Sequence, residues 1–241
     1  MTGDKDKDIL RLLNNDLKQY KIKLSFQYYD VCPFDENKLE IMGIILKYAE
    51  LFESYYNKIY ILSSLCDECF KGSIPYLVNI YQHFVEKIYN NPKDEMFLLH
   101  ICDTISKINA LEYQELYKSI LCRPITSSAG SIIEMLDKYN VEALEDVIFS
   151  LIKKENLIPR AWIGELNEED KYWCSFVALK YVVNRKNKDY LSFFQELFND
   201  ENFEWINFSD SKYKEKLTLK CKNKYKKLAS EGIKKLRNCK E

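Results

Sequence analysis

Sliding the chain along itself by 36 residues brings Leu62 onto Leu98, Cys66 onto Cys102, Asp67 onto Asp103, Lys71 onto Lys107 and Tyr81 onto Tyr117. Apolar character persists between these matches: Ile61 meets Phe97, Leu65 meets Ile101, Leu77 meets Tyr113, Ile80 meets Leu116, Phe84 meets Ile120 and Val85 meets Leu121. A period in this range constrains the fold more than any composition figure, because one such unit cannot bury its own apolar face and needs neighbours that do it in turn. Each copy reads as a helix, a short turn (Lys71-Gly72-Ser73, then Lys107-Ile108-Asn109) and a second helix. A third copy, slipped by about two residues, spans Ser128 to Glu155: Ile132, Ile133 and Leu136-Asp137 echo Leu98, Leu99 and Cys102-Asp103, and Val147, Ile148, Leu151 and Ile152 form its second stripe. A fourth spans Glu169 to Phe198, after a longer connector from Leu157 through Pro159 to Leu166.

Turn chemistry agrees. Gly occurs 6 times and Pro 5 times in 241 residues, too few for a many-stranded β architecture, while 46% apolar content excludes general disorder. The expectation is an all-α chain. On the helix pairs quoted above, residues 36 to 200 resemble a HEAT-like α-solenoid. The resemblance implies a right-handed α-solenoid of HEAT-like helix pairs, with second helices at Ser73 to Ile88, Leu111 to Cys122, Val141 to Lys154 and Lys188 to Phe198 standing side by side along a concave surface. Around that body, residues 1–35 read as an N-terminal helix and extended segment, 36–210 as the repeats, and 211–241 as a Lys-rich amphipathic helix. Within the first segment, Ile9, Leu12, Leu13 and Leu17 share a helical face, whereas Ile22, Leu24, Phe26 and Tyr28 alternate with polar residues as in a strand, or in extended linker, since one strand has no evident partner. Asp35 is a candidate N-cap for the helix that follows, and Ser128 or Ser131 for the third copy.

Candidate chemistry is sparse. Cys66-Asp67-Glu68-Cys69 is a C-x-x-C, but tetrahedral zinc needs four donors and no second ligand pair follows; His83 and His100 are the two histidines. The motif is expected late in a helix, and the eight cysteines as core thiols rather than disulfides, so no metal and no cofactor is expected. G-x-S-x-G, H-E-x-x-H, P-loop and G-x-G-x-x-G are absent, which points to a non-enzymatic protein. A HEAT-like family of bacterial DNA glycosylases has a chain of similar length, but its Trp-rich, Asp-bearing catalytic surroundings and Arg-rich DNA track have no counterpart here. No apolar run approaches the roughly 20 residues that span a bilayer, and the N-terminus lacks a signal-peptide pattern, so a cytoplasmic location without membrane contact is expected.

Charge is distributed unevenly. Residues 211–241 hold twelve Lys/Arg and three Asp/Glu, a net +9, leaving 24 and 34 in residues 1–210, a net −10. In the tail, Tyr213, Leu217, Cys221, Tyr225, Leu228, Gly232 and Leu236 fall at helical spacing among lysines, the pattern of a capping helix or of a nucleic-acid-binding one. On the second helices, removing the apolar stripes leaves Glu112 and Glu115, then Glu142, Glu145 and Asp146, then Glu196 and Asp200, with Phe149 and Tyr190 as aromatic anchors. This acidic lane is expected to bind a basic protein partner, as an immunity or antitoxin protein would hold a basic effector. The alternative is a nucleic-acid-binding protein acting through the tail. Small-angle scattering checks the architecture: a solenoid of this length exceeds the radius of gyration of roughly 18 Å of a compact globule, and a value at that figure argues against it.

Overall fold

The computed structural model describes residues 2–26, 37–85, 94–122, 129–152, 173–201 and 214–238. Among the described residues every regular element is helical and no strand occurs. The chain divides into two compact units, Met1–Leu116 and Tyr117–Glu241.

In the first unit, α1 (Thr2–Leu17) packs on α2 (Lys38–Leu51), followed by α3 (Tyr55–Leu62), α4 (Ile74–Val85) and α5 (Asp94–Ile108). Helix α6 (Gln114–Leu121), entered through a 3-10 turn at Leu111–Tyr113, crosses the unit boundary. The docking of α1 depends on Asp6, a buried carboxylate that accepts hydrogen bonds from the backbone N–H of Glu53 (2.9 Å) and Ser54 (3.1 Å) and from the Asn57 side chain (2.7 Å). It satisfies donors at the start of α3, whose own N-cap is Ser54.

The alternating segment after α1 is not a strand. Residues Ile22–Ser25 run without regular structure, and the Asn14 side-chain amide does what a neighbouring strand would do. It accepts from Leu24 N–H at 2.7 Å and donates to Leu24 C=O at 3.0 Å. The period of two is real, since Leu24 is buried and Phe26 sits edge-on against Phe52, but one amide replaces the ladder. Tyr28 and Asp35 lie outside the described residues; the N-cap position of α2 is Asn37.

In the second unit, α7 (Gly130–Lys138), α8 (Glu145–Ser150), α9 (Trp173–Arg185), α10 (Leu191–Asn199) and α11 (Lys214–Asn238) follow. Helix α7 packs on α9, α8 on α9, and α11 along both α9 and α10. Ser131 does not cap α7: Ala129 holds the N-cap position without a side-chain bond and Ser131 is buried inside the helix, while Ser128 lies outside the described residues. The first helix of the first repeat is also shorter than expected. It ends at Leu62, where Ser63-Ser64 replaces the Leu99-His100 of the next copy, and Ser64 Oγ donates back to Ile61 C=O (2.6 Å). Serines compete for backbone groups in this way, so Cys66 lies beyond a helix while its sequence equivalent Cys102 lies within α5.

Two glycines separate backbone cost from packing. Gly43 lies exposed in the middle of α2, where an added Cβ meets nothing within 4 Å; Gly232 lies buried on α11, where a Cβ would stand 2.7 Å from the Phe194 ring. Gly43→Ala is expected to stabilise by about 0.5–1 kcal/mol and Gly232→Ala to destabilise by about 1–3 kcal/mol, read from chemical denaturation midpoints.

Candidate functional site

The end of α7 sets the geometry of the second unit. Asn140 adopts φ 55°, with its N–H bonded to Asp137 C=O (3.1 Å) and the Val141 N–H to Leu136 C=O (3.0 Å), the Schellman pattern that closes a helix. Beside it, Arg185 at the end of α9 meets Asp137: Nη2 to Oδ1 at 2.6 Å, Nη2 to the Asp137 carbonyl at 3.2 Å, and Nη1 to Asn140 Oδ1 at 2.6 Å. The Arg185 and Asp137 side chains are 2% and 15% exposed, so the pair is largely withdrawn from water. Asn184 donates to the other Asp137 oxygen (2.8 Å) and accepts from Lys235 of α11 (2.8 Å). The guanidinium also lies 4.3 Å from the Tyr181 ring centroid. The Tyr181 hydroxyl donates to Val141 C=O, and burial pushes that phenol up to about 12.

Next along the chain, Lys186 takes φ 57° and Asn187 caps the 3-10 turn Lys188–Tyr190, accepting from Asp189 N–H at 3.0 Å. The amide of Asn187 donates to Glu145 Oε1 at 2.9 Å. Tyr190 bonds the same carboxylate, and burial followed by that bond raises its pKa. Phe149 stacks on Tyr190 with ring centroids 4.5 Å apart and meets Phe193 edge-on at 5.0 Å.

These contacts sort the expected site residues. Tyr190 is 7% exposed and Glu145 joins α8 to the α9–α10 connection, so both hold the surface in place rather than reach from it. Glu142 and Asp146 are exposed and, among the described residues, form no ion pair; Glu142 lies in the turn before α8, which begins four residues later than Val141. Phe149 is half-buried. Glu112 and Glu115 belong to the first unit: Glu112 is paired with Lys71 at 2.7 Å, which lowers its pKa, and Glu115 is exposed on α6. The structure therefore gathers Glu142, Glu145, Asp146, Phe149 and Tyr190 in one unit and places Glu112 and Glu115 in the other.

Glu196, expected on the fourth pair, joins the second group together with two residues that were not expected, Asp189 and Phe193, while Asp200 is half-buried. Asp189, Phe193 and Glu196 follow one another at helical spacing on α10 and its 3-10 turn, with both carboxylates exposed and Phe193 half-buried against Phe149. Arg185 and Asn187 were the signals in the sequence: a charged residue ending the apolar run Val182-Val183, then an Asn at an N-cap position.

In the first unit, Cys66 and Cys69 are half-buried, whereas Cys102 is in the core. Asp67 caps the 3-10 turn at Cys69 N–H (3.1 Å) and pairs with Lys38 (3.1 Å). The Cys69 thiol, its backbone N–H and Lys38 hold the Asp67 carboxyl down to about 2. Burial, then the bond to Asp67, pushes the Cys69 thiol up to about 11, and burial raises Cys66 too. Among the described residues no group of His, Cys, Asp and Glu is arranged to hold a metal ion. Compared with family models, curated proteins and solved structures, the chain matches none.

Thiols so protonated are poor nucleophiles at neutral pH. Alkylation by iodoacetamide at pH 8, read by peptide mass spectrometry, is expected to modify exposed Cys122 first and Cys66 and Cys69 at least tenfold more slowly, a gap that narrows toward the Cys69 pKa of about 11.

Proposed function

We propose that this chain is a non-enzymatic protein-binding module that captures a basic partner through the acidic surface of its second unit, in the manner of an immunity or antitoxin protein holding a basic effector. The observation that carries this reading is a pair of half-buried aromatic rings, Phe149 and Phe193, with exposed carboxylates at Glu142, Asp146, Asp189 and Glu196 on the same two helices and the turns that lead into them. Aromatic area inside a charged rim is the composition of a hot spot, and the rim raises encounter rates with an oppositely charged partner. Lys186 and Lys188 lie at the adjoining turn, so positive charge is present but outnumbered.

In this proposal the helix pairs stack as a HEAT-like solenoid and the protein works in the cytoplasm. Helices α3/α4, α5/α6, α7/α8 and α9/α10 follow one another in the order the repeat expects, with α3 ending at Leu62 and α8 starting at Glu145, and that order supports the first part. No described helix is long and apolar enough to cross a membrane. Glu112 and Glu115 form a second acidic element on the first unit, whose share in capture is separable by mutation.

The test pairs the chain with the product of the adjacent reading frame, co-expressed and purified. Glu142→Lys/Asp146→Lys is expected to leave helical signal and melting temperature nearly unchanged, and to slow association roughly tenfold at low salt. Glu145→Ala, by contrast, is expected to lower stability by about 1–3 kcal/mol, since it orphans Asn187 and Tyr190. A double variant that folds and associates at the wild-type rate overturns the reading.

A further inference from the structure

Helix α11 turns toward solvent a face for which capture of a basic partner has no use. Its buried residues Tyr225, Ala229, Gly232 and Leu236 recur at spacings of four, three and four, and mark the side that packs on α9 and α10. Gly232 fixes the rotation of the helix about its axis, because its backbone lies against the Phe194 ring where no side chain fits. At about 100° per residue, Lys220, Lys224, Lys227 and Lys234 then fall within an arc of about 80° on the side away from the buried stripe, and all four are exposed, with Lys224 at the edge of the arc and its ammonium 5.9 Å from the Phe176 ring centroid. They extend over about 21 Å, with exposed Arg237 flanking them. Glu231 is the one carboxylate inside the arc. Like charges at this spacing cost helix stability where alternating acids would add to it.

From this face we infer a second binding surface on the chain, one that takes the phosphodiester backbone of a nucleic acid. Lysines are point charges suited to phosphate, and they position a backbone without reading bases. The arc holds no apolar residue, so it lacks the anchor that a protein hot spot uses. It also lacks the apolar face that an interfacial membrane helix inserts, since the apolar stripe of α11 is already buried against α9 and α10. Truncating residues 211–241 is a poor test, because it uncovers the core that α11 closes. Point substitution on the outer face avoids this.

The experiment measures fluorescence polarisation of a short labelled DNA duplex, and of the matching single strand, with the full chain at increasing salt. Four phosphate contacts predict a slope of log K on log salt of about −3 to −4, a loss of roughly 100-fold between about 50 and 200 mM. Lys227→Gln/Lys234→Gln keeps good helix formers on the outer face, and is expected to reduce that loss to roughly tenfold with circular dichroism unchanged. Glu142→Gln/Asp146→Gln is expected to retain duplex binding, which distinguishes failure of this inference from failure of the basic-partner reading. The inference is overturned if the wild-type chain does not bind at low salt, if the folded lysine variant keeps the wild-type slope, if the acidic-face variant loses duplex binding, or if phosphatidylserine vesicles retain the chain where the duplex does not.

Discussion

A single half-buried carboxylate organises the second unit. Asp137 receives Arg185 and Asn184 from α9, and Asn184 in turn receives Lys235 from α11, so three helices converge on one side chain at the end of α7. Withdrawing such a pair from water is costly, and removing one partner would leave the other charge with less compensation than it has in the pair. The pair is therefore weak evidence for stability, and what it supplies is a fixed geometry between the ends of α7 and α9. Its geometry carries over to the next residues. Because Arg185 is held, Lys186 and Asn187 emerge at one place, Asn187 reaches Glu145, and α8 is set so that Phe149 lies on Tyr190.

The three aspartates that the sequence alignment superposes have different partners in the fold. Asp67, Asp103 and Asp137 occupy matching positions in three copies, yet one caps a 3-10 turn and pairs with Lys38, the second holds Lys107 one turn along its own helix at 2.7 Å, and the third meets Arg185. Burial separates them. The first two sit at half-exposed positions where screening keeps an ion pair weak, and the third is withdrawn from water and becomes an organising contact.

Helix ends follow from composition in a similar way. With six glycines in the chain, the left-handed positions go to Lys21, Asn37, Asn109, Asn140 and Lys186, and among the described residues no glycine takes a positive φ. Asn tolerates this conformation because its short amide can bond locally, whereas Lys has no such compensation and is held by its surroundings. Lys21 is fixed by the Schellman bonds Lys21 N–H to Lys18 C=O and Ile22 N–H to Leu17 C=O. The few glycines are instead placed where space matters, as at Gly232.

By itself the sequence determined the helical class and marked Tyr225, Gly232 and Leu236 on the packing side of α11, because periodicity and the scarcity of turn residues are local properties that need no knowledge of neighbours. It also marked the acidic residues Glu142, Glu145 and Asp146 together with Phe149 and Tyr190. What each of those side chains does was decided only by tertiary structure. Glu145 and Tyr190 are consumed by contacts to one another and to Asn187, a partner more than forty residues from Glu145, and no local pattern distinguishes them from exposed Asp146. The alternation at Ile22–Phe26 left strand and extended linker open for the same reason: a strand is defined by its partner, and here the partner is the side chain of Asn14. Charge and periodicity are written along the chain, whereas burial and pairing depend on what the fold brings alongside.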